Sequence, residues 1–187
     1  MGELLLETNM KIGITGLPGA GKTHALMRVI EMLEAEGIVV GGMVTESIIN
    51  ANGDREGFKI VNWMTKEEGV LAHKDIRSKI TVSRYGVDLK ALDDIGVRAI
   101  NQASELAELI IIDEVGKMEV ESPLFIEAVK KALDMDKALI LTLHKKSRNP
   151  LLQDIRRRDD VRILEVTPVN VNILPTKIIR LLNEEPI

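Results

Sequence analysis

The chain has 187 residues, of which 45% are hydrophobic and 2% aromatic, and its formal net charge is −4. This length predicts one domain over residues 1–187, with a core filled by aliphatic side chains and methionine. Acidity and scarce aromatic rings disfavour nucleic acid as a partner, and zero cysteines exclude disulfides and thiolate metal sites. Because no apolar run approaches the ~18 residues of a membrane span, no membrane contact is expected, and we predict a cytoplasmic protein.

The first predicted elements are a strand, a glycine-rich loop and a helix. Residues 1–9 lack the basic start and long apolar stretch of a secretory signal, so we expect a short extension there. Residues 10–15 are typical of a short buried strand, and apolar residues recur with helical spacing over 25–33. Between them lies a complete G-x-x-x-x-G-K-[ST] phosphate loop. Its members are Gly16, Leu17, Pro18, Gly19, Ala20, Gly21, Lys22 and Thr23.

Each part of this loop has a chemical role in binding a triphosphate. The glycines let the backbone approach an anion, and successive N–H groups at the helix N-terminus favour negative charge. Lys22 is expected to reach the β- and γ-phosphates, and the hydroxyl of Thr23 is expected to bind Mg²⁺. The sequence therefore predicts a nucleoside-triphosphate site with Mg²⁺ as cofactor.

The next segment has an antiparallel pattern. After a strand that begins at residue 38, the Asn-Gly pair at 52–53 indicates a turn between two strands. We interpret residues 43–83 as an insertion of hairpins on or beside the main sheet. A helix is predicted over 88–106 from its apolar spacing.

The remainder alternates strands and helices. Strands are predicted at residues 109–112, 138–143 and 161–166, and helices at 123–133, 151–158 and 171–182. The helix at 123 has a serine N-cap followed by proline. This order predicts an α/β fold, a three-layer phosphate-loop sandwich with a mostly parallel sheet.

Two carboxylates end the strand that begins at residue 109. Asp113 is expected to hold Mg²⁺. The side chain of Glu114 is expected to point the other way along an extended backbone, where it is free to orient or deprotonate the attacking water. Two solvated acids at a strand end would be the ordinary alternative. Whether Lys117 reaches a phosphate or is a solvated loop cation is left open by its spacing. We assign to the nucleotide site, besides the loop, the run Ile111, Ile112, Asp113, Glu114, Val115, Gly116 and Lys117.

Several other residues are candidates without a decided role. A cation near the γ-phosphate assists phosphoryl transfer, and Arg55, Arg156 and Arg158 are candidates for it. The ordinary alternative is that these arginines lie on the surface and pair with Asp54, Asp159 and Asp160. Thr142 and His144, at the end of a strand expected beside residues 109–112, could sense the γ-phosphate. For base stacking the only candidates noted are Tyr85 and Trp63.

Residues 111–119, followed by Ser122 and Phe125, resemble the signature of the small nucleoside-triphosphatase family of thermophilic prokaryotes, which includes the vertebrate cancer-related nucleoside-triphosphatase. Further similar segments lie at residues 42–46, 55–58, 85–89 and 155–161. The resemblance implies a RecA-like core and slow, Mg²⁺-dependent hydrolysis of ATP, GTP, CTP and UTP with broad base tolerance. The chain departs from the family pattern at residues 48–49 and at 171, where arginines are common.

These observations favour a nucleoside-triphosphatase. A nucleotide or small-molecule kinase, with residues 156–158 as a lid, is the alternative enzyme. A nucleotide-dependent switch that binds a protein partner through the hairpins is the non-enzymatic alternative. The three differ in whether phosphate is released with water alone.

Overall fold

Among the described residues, Leu6 and 9–183 of a computed structural model, nine strands form one mixed sheet. The strands are β1 (Lys11–Gly16), β2 (Val40–Ile49), β3 (Arg55–Asn62), β4 (Glu68–His73), β5 (Thr81–Val82), β6 (Tyr85–Val87), β7 (Leu109–Val115), β8 (Ala138–His144) and β9 (Val161–Glu165). Their order across the sheet is β5-β6-β4-β3-β2-β7-β8-β1-β9. Most of the predicted extension at 1–9 lies outside the described residues.

Helices cover both faces of the sheet. They are α1 (Lys22–Ala35), α2 (Leu89–Ala91), α3 (Arg98–Leu106), α4 (Pro123–Leu133), α5 (Pro150–Arg157) and α6 (Leu174–Leu182). A π-helical segment, Leu92–Val97, joins α2 to α3, so that the helix predicted over 88–106 is continuous but not α-helical throughout. In the described part of the chain, none of these helices has the length and apolar character needed to cross a bilayer.

The parallel half of the sheet is β2-β7-β8-β1-β9. Both of its faces are buried, because alternate residues of β7 enter different apolar clusters. Ile110 and Ile112 pack in the cluster that includes residues of α3, α4 and α5. Leu109 and Ile111 pack with residues of α1 and α6. A strand that is buried on both faces needs a continuous apolar run, and this arrangement confirms the predicted three-layer α/β fold.

The antiparallel half continues the same sheet through β2. Residues 40–44 of this strand pair in parallel with β7, whereas residues 43–49 pair antiparallel with β3. The hairpin turn is closed by the side chain of Asn50, which accepts hydrogen bonds of 2.9 Å from the backbone N–H groups of Asn52 and Asp54. The predicted hairpins thus lengthen the main sheet, and they end at Val87 rather than at residue 83.

Several element boundaries differ from the prediction, the following three among them. β7 continues beyond residue 112 to Val115, and the peptide bond between Asp113 and Glu114 within it is cis. α5 begins one residue early because Asn149 caps it, accepting a hydrogen bond from the N–H of Leu151. α6 begins at Leu174 instead of 171, since residues 168–173 form a series of turns. The helix at 123–133 matches the prediction, with Ser122 as its N-cap.

Candidate active site

The phosphate loop connects the end of β1 to the start of α1. Gly19 and Gly21 have φ angles of 79° and 104°, in the left-handed region that residues with a Cβ rarely adopt. The ammonium of Lys22 folds back over the loop and donates a 3.2 Å hydrogen bond to the carbonyl of Gly16. The loop therefore places backbone N–H groups and one cation at the N-terminus of a 14-residue helix, an arrangement suited to phosphate.

Thr23 meets Asp113 across the sheet, although the two are 90 positions apart. The hydroxyl of Thr23 lies 3.0 Å from Oδ2 of Asp113 and 3.3 Å from Oδ1. The hydroxyl of Thr142, on β8, donates a 2.6 Å hydrogen bond to Oδ1 of the same carboxyl group. One hydroxyl and one carboxylate that converge in this way are hard oxygen donors of the kind that Mg²⁺ prefers.

The carboxyl group of Asp113 is 1% exposed. Its pKa is raised to about 6, chiefly by burial and in smaller part by the nearby carboxylate of Glu114, while the hydrogen bonds from Thr142 and Thr23 and the charge of Lys22 oppose this rise. At neutral pH the group is therefore mostly ionised but close to its titration range. A bound cation at this position would favour the ionised form.

Glu114 faces the same cavity as Asp113, although consecutive residues of a regular strand point to opposite faces. The register between β7 and β8 shifts here, so that Ile112 pairs with Leu141 and Val115 with Leu143. Such a bulge inserts one residue and redirects side chains. The expectation that Glu114 points away from Asp113 is therefore wrong. The result is that both carboxylates reach one site.

A cavity of about 340 Å³ lies over the phosphate loop. Its lining consists of Pro18, Gly19, Gly21, Lys22, Thr23, His24, Thr45, Ser47, Arg55, Phe58, Asp113, Glu114 and His144. The four residues to which sequence analysis gave phosphate, Mg²⁺ or water-positioning roles all contribute to it. Ile111 and Ile112 are instead fully buried in the core clusters, so their side chains do not reach the cavity.

The hairpins supply one wall of this cavity, and most of that wall was missed in the sequence. Thr45 and Ser47 alternate on β2, and Phe58 is the partner of Ser47 on β3. The alternation of two hydroxyl residues along β2 was a usable signal. Only Arg55 of this wall had been named as a candidate.

The three candidate arginines have different surroundings. Arg55 lines the phosphate cavity. Arg156 donates hydrogen bonds to the carbonyls of His144, Lys145 and Ser147, and so holds the loop after β8. Arg158 is engaged at another place, where it pairs with Asp134 and Asp160.

A second cavity, of about 160 Å³, adjoins the first and shares Thr45, Phe58, Glu114 and His144 with it. Lys117 lines this second cavity and is not among the residues that line the phosphate cavity. Glu119 also lines this second cavity. Its pKa is raised to about 8, chiefly by burial and in smaller part by the charge of Glu114. The pKa of His144 is lowered, chiefly by burial, so that its ring is neutral at pH 7.

The two residues considered for base stacking have other contacts. Tyr85 is 8% exposed and packs edge-on against Phe58. Trp63 donates a hydrogen bond from Nε1 to Glu34, and the ammonium of Lys66 lies 3.2 Å from its ring centroid. Neither lines the cavity over the phosphate loop.

The fold and the site define a phosphate-loop protein in which a second motif, the acidic pair Asp113 and Glu114, lies beside the loop. A family profile described as NTPase matches residues 11–179. The nucleoside-triphosphatase THEP1 of Picrophilus torridus is 38% identical over 176 residues, covering 94% of this chain and 97% of the relative. That of Thermotoga maritima is 42% identical over 173 residues, covering 92% and 95%.

Solved structures agree with these relatives. The crystal structure of THEP1 from the hyperthermophile Aquifex aeolicus is 31% identical and has a TM-score of 0.81, covering 92% of this chain and 99% of that one. The chain belongs to this family of nucleoside-triphosphatases. The resemblance noted in residues 111–119 is thereby confirmed.

Proposed function

We propose that the protein hydrolyses nucleoside triphosphates to diphosphate and phosphate in the cytoplasm, with Mg²⁺ as cofactor and little selectivity for the base. The observation that carries this proposal is the position of Glu114. Its carboxylate lines the cavity over the phosphate loop and lies 3.5 Å from the ammonium of Lys22. A carboxylate beside the group that reaches the terminal phosphates is placed to act on a water molecule attacking there.

The phosphate loop and Lys22 bind the triphosphate and stabilise charge on the β- and γ-phosphates. Thr23 and Asp113 would hold Mg²⁺, because their oxygens converge and Thr142 fixes the orientation of the carboxylate. When bound, the ion neutralises phosphate charge. The chemistry of this donor set fits the ion, since Mg²⁺ typically binds one or two carboxylates together with water and phosphate oxygens.

Glu114 is the residue that we assign to the water. Its side chain is 30% exposed, so water has access to it, whereas that of Lys22 is 10% exposed. As a carboxylate it accepts a hydrogen bond from water and either orients the molecule or removes its proton. The hydrolysis then needs no acceptor other than water.

Broad base tolerance is supported by the kind of groups that line the cavity. Most of the lining residues are those expected around phosphates: loop glycines, hydroxyls, two carboxylates and two cationic side chains, and the others are Pro18, Phe58 and two histidines. Tyr85 packs against Phe58, and Trp63 is covered by Lys66. Neither of these two rings is therefore placed to stack on a base in the cavity. We therefore expect ATP, GTP, CTP and UTP all to serve as substrates.

The test is phosphate release by the purified protein with each triphosphate, in the presence of Mg²⁺ and in EDTA, beside Lys22→Ala. We expect release with all four triphosphates, dependent on Mg²⁺ and abolished in the variant. Release that requires an added alcohol or nucleotide acceptor would indicate a kinase instead. Tight binding without turnover until a protein partner is added would indicate a switch.

A further inference from the structure

We propose that Arg55 is the catalytic arginine of this site, contributed in cis by the hairpins and acting on the γ-phosphate during transfer to water. The inference rests on the proposed hydrolysis and assigns a residue to it. It depends on the position of Arg55 in the fold, on how its side chain is directed, and on the engagement of the competing cations.

Arg55 begins β3, four strands away from β1 in the sheet, yet it lines the cavity over the phosphate loop together with Lys22 and Glu114. The cavity thus has a cation on each of two walls, one from α1 and one from β3. Phosphoryl transfer places charge on the equatorial oxygens of the γ-phosphate, and a second cation stabilises that charge.

The strand β3 is shaped to direct the side chain of Arg55 toward the cavity. Ile48 pairs with Gly57 and Ile49 pairs with Arg55, so Glu56 is an extra residue in β3. In a regular strand, residues 55 and 58 would face opposite sides of the sheet. The bulge at Glu56 instead brings Arg55 and Phe58 to the same side, where the guanidinium carbon lies 5.2 Å from the ring centroid.

The guanidinium of Arg55 is available to a ligand, while the backbone of this residue is fixed. The carbonyl of Arg55 accepts a 2.7 Å hydrogen bond from Arg84 and one of 3.4 Å from the hydroxyl of Tyr85. Among the described residues, the side chain of Arg55 forms no ion pair with a carboxylate, and its contact is with the face of Phe58. A cation held over a ring keeps its N–H donors free for an incoming anion.

The other candidate cations are engaged elsewhere or lie outside the phosphate cavity. Arg156 donates hydrogen bonds to three backbone carbonyls. Arg158 forms ion pairs with Asp134 and Asp160. Lys117 lines the adjoining cavity beside Glu119. Of the arginines proposed from sequence, Arg55 alone combines a place in the phosphate cavity with free donors.

The experiment compares Arg55→Ala and Arg55→Lys with Arg77→Ala, an exposed arginine in the same hairpin region. We expect Arg55→Ala to lower kcat by about 10²–10³-fold with KM changed less than about threefold, because the arginine acts on the transition state. Arg55→Lys should recover only part of the loss, since an ammonium lacks the planar pair of donors. Guanidinium ion added at millimolar concentration should partly restore Arg55→Ala.

A second readout does not depend on turnover. Affinity is measured for a nucleoside diphosphate with Mg²⁺, with and without aluminium fluoride, which mimics the phosphoryl group in flight. Arg55→Ala should weaken binding of the fluoride complex by about tenfold or more and leave binding of the diphosphate nearly unchanged. Arg77→Ala should change neither affinity.

Two results would overturn the assignment: equal kcat for Arg55→Ala and Arg77→Ala, or equal weakening of the diphosphate and its fluoride complex. Failure of the proposed function is distinguishable, because the wild-type protein would then release no phosphate from any triphosphate. The binding comparison would still decide whether Arg55 contacts the transferred group.

Discussion

The ammonium of Lys22 lies 3.5 Å from Oε2 of Glu114. The residue expected to bind the terminal phosphates is thus paired with the one that we assign to the attacking water. A triphosphate that enters the cavity must compete with Glu114 for Lys22. It also meets the negative charge of Glu114 at close range. The carboxylate of Glu114 is therefore expected to weaken binding of the triphosphate while it speeds the attack of water. Its effects on affinity and on rate have opposite signs and can be measured separately.

Replacing Glu114 by Gln should change these two quantities in opposite directions. We expect kcat to fall about 10²-fold or more, since the carboxylate that we assign to orienting or deprotonating the water is removed. Affinity for the triphosphate should rise several-fold, because Lys22 is released and a repulsive charge is lost. Phosphate-release kinetics and equilibrium binding of a triphosphate measure the two effects.

Glu121→Gln is the matched control for this change. It removes the same charge from an exposed position seven residues further along the chain and should alter neither quantity. If Glu114→Gln kept wild-type kcat, the assignment of the water to Glu114 would be wrong. If its affinity fell, the competition for Lys22 would be refuted.

Thr142 should control how well Asp113 binds Mg²⁺. Its hydroxyl donates a 2.6 Å hydrogen bond that favours the ionised carboxylate. Thr142→Val keeps the shape and removes the donor, so the pKa of Asp113, already about 6, rises further and less of the group is ionised at pH 7. We expect the Mg²⁺ concentration for half-maximal rate to increase about tenfold.

The sign of the pH dependence makes this prediction specific. A raised pKa lowers the ionised fraction of Asp113 only near and below that pKa. The difference in Mg²⁺ requirement between Thr142→Val and wild type should therefore shrink between pH 7 and pH 8.5. The exposed Thr176→Val serves as control and should follow the wild type. A deficit of constant size over this pH range would show that the defect is not one of ionisation.

Glu119 should make the stability of the fold depend on pH. It is 4% exposed, and burial followed by the charge of Glu114 raises its pKa to about 8. Since the unfolded state ionises near pH 4.5, the folded state binds more protons between these values, and stability falls as pH rises through them. The contribution of Glu119 is fully present below about pH 4.5 and is lost as pH approaches 8.

Glu119→Gln removes this titration and keeps the size of the side chain. We expect the free energy of unfolding of the variant, relative to wild type, to increase by about 1–3 kcal/mol between pH 5 and pH 7.5. Urea unfolding at the two pH values measures it. A difference that does not change with pH would show that Glu119 is already ionised in the folded state.

Local sequence patterns were enough to predict the phosphate loop, the strand before Asp113 and the helix that begins at Pro123. Each of these depends on residues close together in the chain: positive-φ glycines, a continuous apolar run and a serine N-cap. The hairpin turn was predicted for the same reason, from the neighbouring residues Asn52 and Gly53. All could be recognised without knowing which strands pair.

The wall of the cavity formed by Ser47, Arg55 and Phe58 could not be predicted in this way. It exists because β2 pairs with β7 and β3 in succession, and because Glu56 is an extra residue opposite Ile48 and Ile49. Both facts concern pairing between strands, and a shift of one residue would move these side chains to the other face. The direction of Glu114 escaped prediction for the same reason, since it depends on the shift in register between β7 and β8.

The junction at which β2 passes from one partner to the other requires glycine at position 42. Gly42 has a φ of 127°, and a Cβ there would lie 1.9 Å from the carbonyl oxygen of Ile111 on β7. The carbonyl of Gly42 also accepts a 2.8 Å hydrogen bond from the backbone N–H of Trp63, and this bond fixes the backbone of Gly42 on its other side. Neither partner is a flexible side chain that could give way.

Gly42→Ala should therefore destabilise the protein by more than about 4 kcal/mol, or prevent it from accumulating in soluble form. Gly37→Ala is the matched control, because Gly37 also has a positive φ, 83°, but a Cβ there has no atom within 4 Å. The control should lose only about 1 kcal/mol, the cost of the left-handed backbone itself. Urea unfolding of both variants, with soluble yield from matched cultures, measures the difference, and equal losses would show that the contact with β7 relaxes freely.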